Sequence, residues 1–487
     1  MAPVPISRRR AIALGGLGAV AVAGGATVWL AGTGDAGTGA GAVAALGAEL
    51  IQPPLLDSRD GRLQVELTAA MGAHIAGRDT HALAYNGSSP GPTLRVRPGD
   101  ELAVRLINNL DEPTNLHTHG LRVSPLGNSD NPFLAVEPGT SFDYLFQIPP
   151  DHPAGTYWYH PHHHGMVANQ IFGGLLGALL VEAPGQEPEL PAEADRVLQV
   201  TDITLEDNGD VAHPSVMERN HGRQGNLVLV NGQYQPTITA VPDAMQRWRI
   251  INSCVARVLA IRLQDHQLHQ IAHDGTYLST PIAKDQVLLG PGNRIDVLVR
   301  PSAVGRYELS AEPFERGSMG SQNVTSGAAT LAIMNVDGRP AAPTPLPDAL
   351  PAETPTPGVV VARRQIEFEM NMGGPNGEGA SFTIDRRTFD PNRDDQTTTL
   401  GSIEEWTVTN TTPLAHPFHL HVWPFTVLAS SDDAPPLGIP QDVVLIPANG
   451  WVRLRIPFTR FAGRSVYHCH ILDHEDLGMM ATVNVQA

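Results

Sequence analysis

The residues with the clearest chemical potential lie near the end of the chain, where Cys469 stands between two histidines. Alternate side chains of an extended segment point to opposite faces, so His468 and His470 would face away from Cys469. The Cys469 thiolate, the His474 imidazole and a distant thioether from Met479 are ligands typical of a blue copper centre. One backbone segment therefore predicts two neighbouring metal sites, with Cys469 as the electron path between them.

Three further His-x-His pairs supply more imidazoles, at residues 117–119, 160–162 and 419–421. Each pair places two imidazoles on one face of an extended segment. Together with His468 and His470 they give eight imidazoles, enough for three copper ions with positions left for dioxygen. A lone pair of this kind is more often structural or zinc-binding. Zinc, however, needs no long axial thioether and carries no electrons.

His416 precedes His419 by three residues and adds a second imidazole to the Cys469 set. We expect His474 to follow Cys469 in a short loop. The remaining histidines of the 160–165 motif and its neighbourhood match no ligand position, and we interpret them as surface residues or as residues that pack around the ligands: His152, His163 and His164.

Four motifs in this order resemble those of the multicopper oxidases, the family of laccases, ascorbate oxidases and bacterial cuprous oxidases. They are HTHG (117–120), HPHHHG (160–165), HPFHLH (416–421) and HCHILDHEDLGMM (468–480), and the resemblance covers roughly residues 50 to 487. It implies an all-β fold of three cupredoxin-like Greek-key β-sandwich domains.

The resemblance also implies four copper ions. The type 1 blue copper would be bound by Cys469, His416, His474 and, axially, Met479. The type 2 copper would be bound by His117 and His419. The type 3 pair would be bound by His119, His160, His162, His421, His468 and His470. Electrons from a reducing substrate would pass through Cys469 to these histidines and reduce one dioxygen to two waters.

Reduction of dioxygen to water consumes four protons, so a buried cluster needs acids nearby. Asp130, in the loop after HTHG, and Glu475, next to His474, are the candidates for proton delivery. Their alternative interpretation is as ordinary turn and surface carboxylates.

A repeated pattern divides the chain into three units. Each unit has a turn, a gap of about twenty residues and a strand that ends in asparagine, namely Asn86-Gly87 with Asn108, Asn231-Gly232 with Asn252, and Asp385 with Asn410. Three copies of one β-sandwich are indicated, since a solenoid would have a shorter period. We place domain one at 49–185, domain two at 196–337, a Pro-rich linker at 338–362 and domain three at 363–487.

The ligand motifs occur only in domains one and three. The three-copper site is therefore expected at the interface of these two domains, with four imidazoles from each. Domain two is expected to space and brace them.

The first 48 residues predict a twin-arginine export signal, because Arg8-Arg9-Arg10 precede a mildly apolar stretch to about Leu30. The alternative is an uncleaved membrane anchor. Signal cleavage could follow either of two Ala-x-Ala patterns, at residues 21–23 or 42–44, and the sequence does not choose between them. We expect the export machinery as a partner and a periplasmic, cell-surface or secreted destination.

With 487 residues the chain has room for two to four domains, and its 48 glycines and 42 prolines suit a turn-rich β protein. The net charge of −18 argues against nucleic acid and anionic membranes as partners, and we expect a monomer. Of the two cysteines, Cys469 would hold copper, so no disulfide is expected. Cys254 is interpreted as a small buried apolar residue.

The expected reductant is a phenol or similar aromatic compound. Cuprous oxidases typically have a Met-rich insertion and a thioether with a carboxylate before the blue-copper histidine, where this chain has Thr412 and Leu414. Met370 and Met372 are interpreted as core packing. Oxidation of cuprous or ferrous ions remains the alternative. A two-domain nitrite reductase, a copper-free structural relative and a one-domain cupredoxin fit less well, since eight paired histidines and a third repeat are present.

Overall fold

The computed structural model describes residues 47–185, 187–188, 190–372, 380–432 and 438–487. Residues 1–46 of the predicted export signal, with both candidate cleavage positions, fall outside these residues. Within the described part of the chain, the helices are too short or too polar to cross a membrane.

The first sandwich has a four-stranded sheet, β3-β2-β5-β7, and a five-stranded sheet, β1-β4-β9-β8-β6. Its elements are β1 (Leu55–Asp57), β2 (Arg62–Ile75), β3 (Arg78–Tyr85), β4 (Thr93–Val96), β5 (Glu101–Asn108), β6 (His117–His119), β7 (Ser141–Gln147), β8 (Gly155–His160), α1 (Val167–Gly173) and β9 (Gly177–Val181). The predicted alternation holds in β5, where Leu102, Val104 and Leu106 are buried in the core.

The second sandwich has a seven-stranded sheet, β12-β11-β10-β14-β19-β16-β17, a five-stranded sheet, β13-β23-β20-β15-β18, and the hairpin β21-β22. Its elements are a 3₁₀ helix (Ala192–Ala194), β10 (Asp195–Ile203), α2 (Val216–His221), β11 (Leu227–Val230), β12 (Gln233–Tyr234), β13 (Thr237–Ala240), β14 (Gln246–Asn252), β15 (Leu259–Leu263), β16 (Leu268–His273), β17 (Thr276–Lys284), β18 (Val287–Leu289), β19 (Arg294–Val299), β20 (Gly305–Glu312), β21 (Phe314–Met319), β22 (Gln322–Ser326) and β23 (Ala329–Val336). Cys254 is buried there, as expected.

The third sandwich has a six-stranded sheet, β25-β24-β27-β32-β29-β30, and a five-stranded sheet, β26-β34-β33-β28-β31. Its elements are β24 (Val360–Met372), β25 (Ala380–Ile384), β26 (Gln396–Thr399), β27 (Ser402–Asn410), β28 (His416–Leu420), β29 (Phe425–Ser430), β30 (Pro440–Gln441), β31 (Val443–Ile446), β32 (Trp451–Phe458), β33 (Gly463–Cys469), α3 (Leu472–Asp476) and β34 (Met480–Gln486). β24 begins inside the segment predicted as a linker, because Val360 already pairs with Ile403.

The three repeated asparagines have the same structural task. Asn108, Asn252 and Asn410 each end a strand and are fully buried. Each Nδ2 donates to two backbone carbonyls at 2.7–3.0 Å. Each Oδ1 accepts from the backbone N–H two residues later at 2.9–3.1 Å. The side chain thus satisfies backbone groups that the sheet no longer pairs, which explains the repeat physically.

Strand pairing brings the ligand motifs side by side. His117 lies opposite His160 where β6 pairs with β8, and His419 lies opposite His468 where β28 pairs with β33. The expected loop at His474 is instead the short helix α3. It forms because the N–H groups of His474 and Glu475 both donate to the carbonyl of Ile471.

Candidate metal centres

Eight buried imidazoles meet between the first and third sandwiches. His468 Nε2 lies 3.2 Å from His162 Nε2 of the first sandwich and 3.2 Å from His421 Nε2 of its own sandwich. His117 stacks on His421 with ring centroids 3.8 Å apart, and His119 stacks on His419 at 3.9 Å. The cluster is completed by His160 and His470, which the structure places beside them. The split of four imidazoles from each domain matches the expectation from the motifs.

The cluster has the donor chemistry of a metal site. Six ring nitrogens are buried and have no hydrogen-bond partner among the described protein atoms, namely His117 Nε2, His162 Nδ1, His419 Nε2, His421 Nδ1 and both nitrogens of His470. Burial, together with neighbouring imidazoles, lowers the pKa of these histidines well below 6.5. They are therefore neutral, which is the form that binds metal. Buried nitrogens without partners are costly, so bound metal ions fit this site.

The second centre lies on the other side of the β33 backbone. His416 Nδ1 is 3.2 Å from Cys469 Sγ and 3.3 Å from His474 Nδ1. The backbone carbonyl of Met479 accepts from the Cys469 N–H at 3.0 Å, and the Met479 N–H donates to the backbone carbonyl of His474. Burial raises the pKa of the Cys469 thiol, whereas a coordinated thiol is deprotonated by its metal. Two imidazoles, one sulfur and a buried methionine fit a blue copper ion.

Neutral groups orient the two imidazoles of this second centre. His416 Nε2 donates to Thr412 Oγ1 at 2.8 Å, since that hydroxyl donates in turn to the Leu414 carbonyl. His474 Nε2 donates to the carbonyl oxygen of Asn220, in α2, at 3.0 Å. Each bond fixes the ring so that Nδ1 faces the other ligands.

The two predicted carboxylates contact the eight-histidine cluster. Asp130 Oδ1 accepts from His117 Nδ1 and from the Thr118 N–H, both at 2.9 Å. Burial raises the pKa of Asp130 to about 7. Glu475 lies 3.1 Å from His468 Nδ1 and 3.4 Å from His162 Nε2. Both carboxylates are buried, so their interpretation as surface residues is wrong.

The structure adds a third carboxylate that the sequence motifs did not indicate. Asp442 Oδ1 lies 3.0 Å from His119 Nε2, and its backbone carbonyl accepts from His419 Nδ1 at 2.8 Å. Arg294, on β19 of the second sandwich, donates to both Asp442 carboxylate oxygens at 2.6 and 2.7 Å. The second sandwich therefore braces the cluster through a charged pair. No local pattern marks this pair, because its members are 148 residues apart.

An apolar cleft of about 600 Å³ opens beside the second centre. Its lining includes Val216, Met217, Asn220, His221, Met319 and Met370. The Asn220 carbonyl connects the cleft to His474 through the bond described above. Met370 packs against the hydrophobic core, as predicted, and its half-buried side chain also lines this cleft. The side chain of Met372 lies outside the described part.

The three histidines without an assigned role stay outside both centres. His152 is buried, not at the surface, and its Nε2 accepts from the Arg122 N–H at 3.0 Å. His164 packs near Phe389, with ring centroids 4.8 Å apart. His163 is half-buried.

Comparison with known proteins agrees with this geometry. Models of the family described as multicopper oxidase match residues 68–186, 195–339 and 361–487. The chain is 30% identical to the multicopper oxidase mco of Staphylococcus haemolyticus, over 83% of this chain and 84% of that protein.

Two solved structures are also similar. One is a multicopper oxidase from Campylobacter jejuni, described as a metallo-oxidase, with a TM-score of 0.82, 30% identity and coverage of 91% and 96% of the two chains. The other is a bacterial laccase-like multi-copper oxidase from Ochrobactrum sp. with oxidase activity towards lignin model compounds, with a TM-score of 0.77, 28% identity and coverage of 90% and 100%. The chain belongs to the multicopper oxidase family. It is a copper-binding, laccase-like oxidoreductase built from cupredoxin-like β-sandwiches.

Proposed function

We propose that this chain is an exported laccase-like oxidase of small phenolic reductants, which couples four one-electron oxidations to the reduction of one dioxygen to two waters. The observation that carries the proposal is the apolar cleft that ends at Asn220, one hydrogen bond from His474. Aromatic rings suit a cleft lined by valine and methionine side chains. The activity of the Ochrobactrum protein towards lignin model compounds supports this substrate class.

The donor sets support four copper ions. The mononuclear blue ion would be held by Cys469, His416, His474 and Met479, the type 2 ion by His117 and His419, and the type 3 pair by His119, His160, His162, His421, His468 and His470. Bound copper would supply the one-electron transfers and the reduction of dioxygen.

The protein's own residues would supply protons and the path between the centres. Asp130, with a pKa raised by burial to about 7, can hold or release a proton near neutral pH while bonded to His117. Glu475 lies between His162 and His468 and can serve the opposite side of the cluster. Cys469 and His468 are adjacent in β33, so no through-space gap separates the two centres.

Oxidation of cuprous ions is the second candidate, because three thioethers line the same cleft. Met217, Met319 and Met370, with His221 at the edge, offer the soft ligands that select Cu(I). The similar Campylobacter jejuni protein is described as a metallo-oxidase. The carboxylate-thioether pair of cuprous oxidases is absent before His416, so this cleft would be a different entry site.

The two candidate functions can be distinguished by variants that remove the methionine sulfur atoms of the cleft but nearly keep the side-chain volume. Leucine at positions 217, 319 and 370 keeps the cleft apolar and nearly isosteric. A phenol oxidase would keep its phenol turnover in the triple variant, and Val216→Trp at the rim would raise KM for a bulky phenol. A cuprous oxidase would lose turnover of Cu(I) in the triple variant. Met71→Leu, at an exposed position that is not part of the cleft lining, is the control.

Export through the twin-arginine pathway is part of the proposal and rests on the arginine-apolar pattern of the first 48 residues. Replacing Arg8 and Arg9 by lysine should leave the protein in the cytoplasm. Fractionation that finds the variant exported as efficiently as the original chain would remove this pathway.

A further inference from the structure

Arg316 connects the second sandwich to the blue copper site. It lies on β21, and only 1% of its surface is exposed. Its backbone carbonyl accepts from the N–H of Ala415, the residue before His416, at 2.6 Å. Its Nη2 donates to the carbonyl oxygen of His221 at the end of α2.

The other nitrogens of the Arg316 guanidinium have neither hydrogen-bond acceptors nor a carboxylate of their own among the described protein atoms. Nε and Nη1 of Arg316 have no hydrogen-bond partner among the described protein atoms. The nearby carboxylate of Asp473 is already bound by Arg223, at 2.6 to 3.1 Å. Burial lowers the pKa of Arg316 to about 10, so it still carries its charge at neutral pH. A buried cation without a counter-charge is expensive and calls for a reason.

The unpaired Nη1 of Arg316 lies near Ile471, two residues after Cys469. A Cβ placed on Gly222 would lie 3.6 Å from Arg316 Nη1 and 2.6 Å from Ile471 Cγ2, so these atoms border one small space. The Ile471 N–H donates to Cys469 Sγ at 3.3 Å.

We infer that Arg316 is a positioning residue that holds a fixed positive charge beside Cys469 and thereby raises the reduction potential of the blue copper site. Reduction lowers the charge of that site by one unit. A neighbouring cation in a low-dielectric interior disfavours the more positive oxidised form. The inference goes beyond the proposed function, since it holds whichever reductant supplies the electrons.

A redox titration of the copper-loaded full chain tests this, with the blue absorption band as readout. Arg316→Met removes the charge and keeps an apolar stem. We expect at least a tenfold change in the ratio of oxidised to reduced sites at a fixed potential, equal to about 59 mV towards lower potential for one electron. Arg316→Lys should restore most of the original potential. An unchanged potential in Arg316→Met would overturn the inference.

A structural role at the end of α2 makes a different prediction. Ser215→Ala breaks the capping box of α2, in which Ser215 Oγ accepts from the Glu218 N–H at 3.2 Å, but leaves Arg316 in place. If Arg316 only anchors α2, this control and Arg316→Lys will shift the potential as far as Arg316→Met, which overturns the inference. Arg316→Gln carries the same expectation as Arg316→Met if the latter does not fold. The redox titration needs no substrate, so it tests the role of Arg316 even if the protein does not oxidise phenols.

Discussion

The two metal centres share one backbone segment, yet their imidazoles are held by groups of different charge. Around the eight-histidine cluster the contacts include three carboxylates, from Asp130, Asp442 and Glu475, in addition to backbone carbonyls. Around the blue site they are a hydroxyl and a carbonyl, from Thr412 and Asn220, and a cation, Arg316, lies nearby through its backbone bond to Ala415. The difference fits the tasks that the proposed function gives to the two centres.

Carboxylates stabilise added positive charge and can hold protons. The reduction of one dioxygen consumes four protons. Neutral and cationic groups favour a less positive metal, which is the state that results when an electron arrives from a reductant. Charge thus separates the proton-consuming region from the electron-accepting region, although Cys469 and His468 are neighbours in the chain.

Cys469→Ser should have the largest effect on the difference between the two centres. It removes the sulfur of the blue site and the link to the cluster, so we expect loss of the blue absorption and oxygen uptake at background level. The eight histidines should retain their copper. Cys254→Ser is the matched control and should keep the colour. Blue colour in Cys469→Ser would show that the sulfur ligand has been misassigned.

Acid should unfold the copper-free protein, mainly through its imidazoles. Burial lowers the pKa of His160 and of His416 to about 3, against 6.5 in the unfolded chain. The folded state therefore binds fewer protons, and stability falls as pH drops below 6.5, by about 2 kcal/mol for each such histidine at pH 5. Asp130 and Asp442, whose pKa values burial raises to about 7, and Asp476, whose pKa burial also raises, oppose this, but they are fewer than the buried histidines.

Thermal melts of the copper-free and copper-loaded protein between pH 7.5 and pH 5 measure this effect. The melting temperature of the copper-free form should fall steeply, and copper should protect because protons and metal compete for the same nitrogens. A flat profile for the copper-free form would mean that the imidazoles are not held neutral.

Asp130→Asn sharpens the comparison from the cluster side. The amide keeps the shape of the side chain but cannot carry the proton or the charge beside His117. We expect oxygen uptake to fall about 10- to 100-fold, the usual range for a group that supports a metal ligand, while the blue band persists. Asp143→Asn, at an exposed position of the same sandwich, is the control. Unchanged turnover would remove Asp130 from the mechanism.

Thr412→Val tests the neutral side and should have the smallest effect. It removes the oxygen that accepts from His416 Nε2 without adding charge. We expect copper retention at the blue site to weaken by about tenfold under a chelator, with little change at the cluster. Thr407→Val, in β27, is the control. Equal copper loss from both centres would contradict the separation.

The sequence predicted much of the site because its signals are local. A His-x-His pair specifies two side chains on one strand face, and the repeated strand-ending asparagines marked three sandwiches through their hydrogen bonds to the backbone. The comparisons and the structure confirm the three-sandwich fold and the family. The domain boundaries remain predictions.

The sequence did not predict contacts that depend on docking between sandwiches. Arg294 and Asp442 belong to different domains, and Arg316 reaches the blue site only because the β21-β22 hairpin packs against the third sandwich. Isolated arginines carry no spacing signal. Helix α3 was missed because five residues give too short a pattern.

Metal analysis of the copper-loaded chain and of its Cys469→Ser variant tests the central claim most directly. Four copper ions per chain are expected in the first and three in the second, with the blue absorption lost together with the missing ion. A single copper per chain after full reconstitution, or zinc in its place, would contradict the account.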